Sequence, residues 1–407
     1  MNDKIKEFLD ENIEKTVKYS PEGKGNLIGL PYPYTVPCVT ESFQELYYWD
    51  TYFTNVGLLL LGKTKYVKNN IEDIFFLVEK YGFMPNGSRT YYLNRSQPPF
   101  LSQMVRDLFD VTEDKEWLLR AYGVLEIEYD FWQTKRMTPL GLNGYTGYEI
   151  WKDLFDHNFA YFSRRTGYKP DCEVNDEHKK KIYLATVSVC ESGWDCNSRV
   201  KSEGHDYCMI DLNSLLYAME SNMLYFSSVL ELGKENVWEQ RLRERRRKMQ
   251  LLWNDGRKLF MDYNFKTGRF SDYATVASFY PMYANIATDK QAQDTVKLFD
   301  LLNLDFGISA GEPNSDWKCQ WDYPNVWAPL QFIIYKALIN YGYTDMAKTV
   351  AEKYVRLVEN NFEKTGNLWE KYDGNTGEKA CFEYSALPMV GWTAGVYIFF
   401  NKELGIL

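Results

Sequence analysis

The chain has 407 residues, of which 45% are hydrophobic and 25% charged, and its net charge is −9. A chain of this length and composition buries a large hydrophobic core, so it does not need disulfides or bound metals for its stability. Its acidic balance, without a basic stripe to offset it, repels phosphate backbones, so we expect no nucleic-acid partner.

Helical periodicity dominates the chain. The first predicted helix places on one face Ile5, Phe8, Leu9, Ile13 and Val17. Further helices are predicted, in chain order, over 46–61, 66–81, 117–132, 212–232, 237–253, 292–302, 327–341, 346–358 and 392–400. Loops rich in Gly, Asn, Pro and Asp separate them, and strand-like alternation is rare. This series predicts an all-α fold of helix hairpins, six of which would close a ring with a funnel at one end.

The chain shows no linker or repeat, so we expect one domain over residues 1–407. Seven cysteines, an odd number without a CxxC spacing, argue against a disulfide framework and a zinc site, so we expect no metal or other cofactor. The amino-terminal stretch is charged and lacks the apolar core of a signal peptide. No apolar run approaches the roughly 20 residues of a membrane span. We therefore expect a cytoplasmic protein without a membrane partner.

Metal-based and nucleophilic chemistry finds little support in the sequence. Only three histidines occur, and none stands in a metal-ligand spacing such as HExxH. A Ser–His–Asp site would need one of them, and His205 beside Asp206 has no nucleophile elbow nearby. The stretch 373–377 resembles a calcium loop, but Glu378 and Tyr384 stand where the loop needs Gly and Glu. Carboxylates, aromatic rings, arginine and amides remain as the groups for chemistry.

Five segments combine Trp or Tyr with Asp, Glu, Gln and Asn, and most fall in predicted loops or helix starts. They are residues 43–50, 86–99, 191–195, 320–329 and 369–372. Rings of this kind stack on sugars, while carboxylates and amides bind the hydroxyls. Glycoside cleavage needs one protonated and one ionised carboxyl group, in environments that push their pKa values apart. A Trp beside Asp195 and another beside Glu370 would supply partial desolvation.

The same segments resemble those of the trehalases, which hydrolyse α,α-trehalose to two glucose molecules on an (α/α)6 barrel. QWDYPNVWAP at 320–329 is nearly the family's QWDxPxGWAP signature. PNGSRTYYLNRSQPP at 85–99, ESGWDCNSR at 191–199, EKYD at 370–373 and EY…GWTAGV at 383–396 extend the match. The resemblance implies an inverting glycoside hydrolase with Asp195 as general acid and Glu370 as general base.

The resemblance also implies a set of sugar contacts. They fall on Phe43, Trp49, Asp50, Asn86, Arg95, Ser96, Gln97, Gly193 and Glu383. Trp321, Asp322 and Trp327 lie within the signature, either as substrate contacts or as scaffold. Lys169 and Asp171 stand where the family has its RPE element. Glu191, four residues before Asp195, is either an alternative acid or a buried structural partner.

Two departures from the family concern arginine. Ser42 stands in place of the Arg of PGGRF, and Lys169 in place of the Arg of RPE, so Arg95 alone matches a sugar-binding arginine of the family. Neither Ser nor Lys can make the paired, parallel hydrogen bonds of an arginine guanidinium group. The favoured function is hydrolysis of a small α-glucoside, with trehalose the first candidate. The alternatives are another small α-glucoside or α-mannoside with an altered aglycone subsite, a phosphorylase, and an inactive sugar-binding relative.

Overall fold

Helices dominate the computed structural model, which describes residues 1–40, 42–145, 150–166, 168–201, 203–313 and 319–407. In these ranges they are α1 (Asp3–Asn12), α2 (Tyr48–Leu60), α3 (Thr64–Tyr81), α4 (Leu101–Thr112), α5 (Lys115–Lys135), α6 (Phe155–Thr166), α7 (Asp176–Glu191), α8 (Ile210–Val229), α9 (Glu235–Met249), α10 (Tyr280–Tyr283), α11 (Asp289–Thr295), α12 (Phe299–Leu302), α13 (Ala328–Asn340), α14 (Thr344–Thr365) and α15 (Gly391–Glu403).

The described strands are two or three residues long and all pair antiparallel. They are β1 (Val17–Lys18), β2 (Tyr34–Thr35), β3 (Tyr207–Cys208), β4 (Trp253–Asn254), β5 (Leu259–Phe260), β6 (Tyr263–Asn264), β7 (Arg269–Phe270), β8 (Asn303–Leu304), β9 (Gly307–Ile308), β10 (Asn325–Trp327) and β11 (Lys371–Asp373). The pairs are β1–β2, β4–β5, β8–β9 and β10–β11, and β6 lies between β3 and β7. In β10–β11, Trp327 is opposite Lys371, which brings the 320–329 and 370–373 segments side by side.

Six helices form a closed inner ring. Each contacts the next in the order α2, α4, α8, α10, α13, α15, and α15 returns to α2. Helices α2, α13 and α15 are buried on nearly every side, as helices in the centre of a large core must be. Their apolar composition is therefore continuous rather than confined to one stripe.

Amphipathic helices surround this ring. Helix α3 packs against α2 and α4, α9 against α8, and α14 against α13 and α15. In α3 and α14 the apolar residues recur at helical spacing on the inner side, and the other side is exposed. Helices α3 and α14 each end at a glycine in the left-handed conformation, Gly82 and Gly366, where a Cβ would be strained.

Helices α2 and α15 approach each other closely in the inner ring, and glycines make this approach possible. A Cβ added at Gly57 would lie 2.6 Å from the Cα of Gly395. A Cβ at Gly395 would lie 2.0 Å from the carbonyl oxygen of Phe53. These backbones therefore touch directly, and this contact closes the ring between the two ends of the chain.

The predicted all-α fold of paired helices is confirmed, and the inner ring shows the closure that periodicity alone does not establish. The predicted set of helices does not include α4, α6, α7 or the four-residue α10. Within the described residues, none of the helices has both the length and the apolar character required to cross a bilayer.

Candidate active site

One pocket gathers side chains from five segments that are distant in sequence. Its lining consists of Phe43, Tyr47, Trp49, Asp50, Asn86, Tyr92, Arg95, Gln97, Gly193, Asp195, Gln320, Trp321, Trp327, Glu370, Tyr384, Met389 and Trp392. Most of these segments lead into the first turns of α2, α4, α13 and α15, and one follows α7. The pocket therefore lies at the amino-terminal ends of inner-ring helices. Its volume is about 120 Å³, and a larger cavity of about 640 Å³ lies beside α5, so chemistry rather than size distinguishes this site.

The structure brings eleven of the sixteen predicted site residues into this lining. They are Phe43, Trp49, Asp50, Asn86, Arg95, Gln97, Gly193, Asp195, Trp321, Trp327 and Glu370. Five further lining residues were not predicted as site residues: Tyr47, Tyr92, Gln320, Tyr384 and Met389. Gln320 opens the QWD signature and Tyr384 follows Glu383 in the EY motif, so the motifs held the signal for both. Trp392 also lines the pocket.

The other five predicted residues lie outside the lining. Ser96 is buried, and its backbone N–H donates to Glu191 Oε1 at 2.7 Å. Asp322 is buried and accepts hydrogen bonds from the backbone N–H and the hydroxyl of Ser198. The Ser96 hydroxyl donates to the Met84 carbonyl at 2.6 Å, so both side chains are engaged by other protein groups, and their contact with a sugar stays a prediction. Lys169 and Asp171 are exposed on the segment between α6 and α7, and the Glu383 carboxyl group lies next to the thiols of Cys196 and Cys319.

Asp195 reaches the pocket through a tight turn at the end of α7. Gly193 has a φ of +75°, and a Cβ there would lie 2.8 Å from the Trp49 ring, so this position requires glycine. The backbone carbonyl of Asp195 accepts a hydrogen bond from Gln320 Nε2 at 3.2 Å. The turn at Gly193 and this hydrogen bond therefore hold the backbone of Asp195 at the edge of the pocket.

Glu370 is held from several directions. Its backbone N–H donates to the carbonyl of Leu387, and its carbonyl accepts from Trp392 Nε1 at 3.0 Å. The hydroxyl of Tyr384 donates to Oε1 at 2.7 Å. The second oxygen, Oε2, is buried without a hydrogen-bond partner among the described residues. An oriented carboxylate with one unsatisfied oxygen in a pocket is suited to accept a proton.

The electrostatic environment of Glu370 contains opposing influences. Burial raises its pKa, whereas the Lys371 cation and the Tyr384 hydroxyl lower it, and the Asp195 carboxylate raises it again. Burial also raises the pKa of Asp50 to about 8, with further contributions from Glu370 and Asp195. Near neutral pH, Asp50 is therefore protonated far more often than a free aspartate, which lowers the negative charge that the three neighbouring carboxyl groups carry together.

A buried polar chain joins the segments of Asp195 and Glu370. Lys371 Nζ donates to Gln320 Oε1 at 2.9 Å and to the carbonyl of Phe382 at 3.0 Å. The amide of Gln320 in turn donates to the Asp195 carbonyl, as described above. Trp327 Nε1 donates to the Gln320 carbonyl at 2.8 Å and so fixes the backbone of this bridge. A displacement of either the Asp195 segment or the Glu370 segment would disturb the other through this chain.

Stacked tryptophans form one wall. The rings of Trp321 and Trp327 lie parallel, with centroids 3.9 Å apart. Trp49 and Trp392 contact this pair from the side. Such a wall offers a flat apolar surface to the C–H face of a sugar and excludes water from the carboxyl groups.

Arginine and amide groups stand at another side of the pocket. Arg95 Nε donates to Asn86 Oδ1 at 2.8 Å, and its guanidinium lies over the Tyr92 ring. Behind it, Arg136 binds both oxygens of Glu191 at 2.7 Å, and both groups are buried. Arg136 and the backbone N–H of Ser96 bind the carboxylate oxygens of Glu191. Glu191 is therefore a buried structural partner, as one of its two sequence interpretations predicts, and not an alternative acid.

A sequence profile of the trehalase family matches residues 1–405. The chain is 32% identical to a periplasmic trehalase of Xanthomonas axonopodis, covering 91% of this chain and 68% of the relative. It is 31% identical to a periplasmic trehalase of Salmonella choleraesuis, with the same shares covered. The neutral trehalase of Saccharomyces cerevisiae superposes with a TM-score of 0.75 at 28% identity, over 95% of this chain and 76% of that one.

Fold, pocket and these matches define the chain as a glycoside hydrolase. Within that class, it belongs to the trehalase family. A mannosylglycerate hydrolase of Thermus thermophilus has the same fold, with a TM-score of 0.67 at 15% identity, over 97% of this chain and 99% of that one.

The expected cytoplasmic location is wrong. The curated relatives from Xanthomonas and Salmonella are named as periplasmic trehalases, which points to the periplasm. The expectation relied on the lack of an apolar segment at the start of the sequence, and such a lack does not identify a compartment.

Proposed function

We propose that this enzyme hydrolyses α,α-trehalose to glucose with inversion at the attacked carbon. In this proposal Asp195 is the general acid and Glu370 the general base. The observation that carries it is the pairing of the two carboxyl groups in one tryptophan-walled pocket, with Glu370 Oε2 buried and unsatisfied among the described residues. The family and its curated relatives supply the substrate.

The proton movements follow from these roles. Asp195 gives its proton to the glycosidic oxygen as the C–O bond breaks, and Glu370 accepts a proton from the water that attacks the opposite face. The leaving glucose keeps its α configuration, and the attacked glucose becomes β. Tyr384 and Lys371 favour the ionised form of Glu370 that this role requires.

The remaining pocket residues bind and orient the sugars in this proposal. Protonated Asp50 donates to a hydroxyl, and the amides of Asn86 and Gln97 and the Arg95 guanidinium bind others. Gln97 Oε1 also accepts the backbone N–H of Trp49 at 3.2 Å, which links the sugar-binding loop to the first turn of α2. The tryptophan wall positions the ring faces.

Isosteric variants test the two roles. Asp195→Asn and Glu370→Gln should each lower kcat on trehalose by roughly 10³-fold or more, because a proton transfer is typically worth about 10²–10⁴. Their circular dichroism spectra should match that of the unmodified enzyme. Asp272→Asn and Glu378→Gln are matched controls, since both carboxyl groups are exposed and outside the pocket lining.

A panel of α-glucosides and α-mannosides, assayed beside trehalose, tests the substrate. Turnover of trehalose that exceeds turnover of every other glycoside supports the proposal. If the enzyme does not hydrolyse trehalose but does hydrolyse another α-glycoside, the proposed substrate is refuted. The roles of the two carboxyl groups can then still be tested on that glycoside. Near-normal rates in either isosteric variant would refute the role of that residue.

A further inference from the structure

Two thiols and a carboxyl group meet at residues that directly adjoin the pocket lining in the chain. One ligand atom each from Cys196, Cys319 and Glu383 lies within 4.8 Å of the other two. The three residues come from separate segments of the chain, so no sequence spacing reveals the cluster. Cys196 directly follows Asp195, and Cys319 directly precedes Gln320.

The surrounding contacts hold the cluster in place. The Cys196 sulfur lies within 4.8 Å of the Cys319 sulfur and of a Glu383 carboxyl oxygen, and Cys319 is buried. The backbone N–H of Trp321 donates to the carbonyl of Cys196. Cys196 and Glu383 both have positive φ values, 54° and 62°, a conformation that non-glycine residues adopt only when their surroundings impose it.

We propose that Cys196, Cys319 and Glu383 form a binding site for a thiophilic divalent cation, with Zn²⁺ as the first candidate. Thiolate sulfur and carboxylate oxygen are both zinc ligands, and three protein ligands plus a water make a common tetrahedral set. Sulfurs about 2.3 Å from a tetrahedral zinc lie about 3.8 Å apart, which small side-chain rotations from the present cluster would achieve. Each thiol releases its proton to solvent as its sulfur binds the cation.

The charges nearby favour a cation on balance. Glu383 raises the pKa of Asp322 and thus lies within electrostatic reach of it, and Asp195 adjoins Cys196. The positive charge of Lys371 repels a bound metal ion, but its ammonium group is engaged by Gln320 and the Phe382 carbonyl. Two carboxyl groups, those of Glu383 and Asp322, therefore stand against one lysine around the cluster, and Asp195 adds negative charge only after it has given up its proton.

Occupation of this site would act on the pocket. Zinc would restrain the residue after Asp195 and the residue before Gln320, whose amide holds the Asp195 carbonyl. It would also withdraw Glu383 from any sugar hydroxyl. We therefore expect Zn²⁺ to inhibit the enzyme reversibly, lowering kcat about tenfold or more, with full recovery on adding EDTA. This effect on turnover rests on the proposed function, whereas binding of the metal does not.

Binding is tested with Co²⁺ as a spectroscopic substitute for zinc, on the full chain after its thiols have been reduced and the reductant has been removed without exposure to air. We expect a thiolate-to-cobalt charge-transfer band at one cobalt per chain, displaced by Zn²⁺. Cys196→Ser and Cys319→Ser should each remove most of the band. The double variant Cys172→Ser/Cys381→Ser should keep it, since it lacks only the two exposed thiols. This control also removes the Cys172 sulfur that lies 3.9 Å from His178 Nδ1, the competing thiol–imidazole pair.

The outcomes separate the two proposals. A cobalt spectrum without the charge-transfer band, or a band that survives both single variants, would overturn the metal site even if trehalose is hydrolysed. A band that behaves as expected in a protein inactive on trehalose would support the site and count against the proposed function. Zinc inhibition that persists unchanged in Cys196→Ser and Cys319→Ser would overturn the link between the site and the pocket.

Discussion

The hydroxyl of Tyr384 is the one side-chain group that donates to Glu370 among the described contacts, at 2.7 Å from Oε1. This bond stabilises the ionised carboxylate and lowers its pKa against the effect of burial. In Tyr384→Phe the pKa of Glu370 should rise, so the base becomes protonated at a higher pH. The acid limb of the profile of kcat/KM against pH should therefore move to higher pH.

Tyr323→Phe is the matched control for this prediction, because the Tyr323 hydroxyl binds Asn375 away from the pocket lining. Its acid limb should coincide with that of the unmodified enzyme. An acid limb that stays in place in Tyr384→Phe would show that Glu370 does not control it.

At the scale of single residues, the sequence predicted the pocket residues that stand in family motifs. It did not predict the contacts between residues that are distant in sequence. Asp195, Glu370 and nine other lining residues stand in motifs that could be matched letter by letter. The contact between Gln320 and Asp195 spans 125 positions, and no spacing rule reaches that far. The alignment at Lys169 and Asp171 was weak, and both side chains are exposed outside the lining, so their role in sugar binding stays a prediction.

At the scale of helices, the contact between α2 and α15 can be tested by adding one methyl group. Gly395→Ala places a Cβ against the backbone of Phe53, where nothing can rotate away. We expect the free energy of unfolding to fall by about 1–3 kcal/mol, as for other overpacked cores. Urea denaturation followed by circular dichroism measures this change.

Gly123→Ala supplies the opposite expectation on α5, where an added Cβ meets no atom within 4 Å. Alanine there should raise the free energy of unfolding by about 0.5–1 kcal/mol, because it favours the helix over the unfolded chain. If Gly395→Ala is as stable as the unmodified protein, the two helices do not approach as closely as the structure has them.

The helices that the sequence predicted well are those with one clear apolar stripe, such as α3 and α14. Helix α7 was missed because its last two turns, from Thr186 to Glu191, are buried on all sides and rich in β-branched residues, which removes the period. Helix α10 has four residues and is too short for any periodicity. Helix α4 does have the helical period, but the polar loop and the two prolines that precede it indicate a loop at this point of the sequence.

At the scale of the whole molecule, the ring joins the two ends of the chain. The amino group of Met1 donates to the carbonyl of Ile406 at 3.2 Å, and the backbone N–H of Asn2 donates to the Tyr397 hydroxyl at 3.3 Å. Periodicity could predict the helices but not this closure, which depends on contacts between residues hundreds of positions apart. The family resemblance implied it instead.

The expected single domain over residues 1–407 is a prediction about cooperativity. If each helix of the ring depends on both neighbours, tryptophan fluorescence and far-ultraviolet circular dichroism should give coincident unfolding curves with one transition. Two resolved transitions, or curves that separate between the two probes, would show independent units within the chain.

The central claim is that two carboxyl groups on opposite sides of the bond cleave trehalose with inversion. Proton NMR of the glucose anomers, recorded during the first turnovers before mutarotation, tests it most directly. We predict equal amounts of α- and β-glucose, because only the attacked sugar changes configuration. Release of α-glucose alone would indicate retention and would contradict the roles of Asp195 and Glu370, and the absence of any glucose would contradict the proposed activity itself.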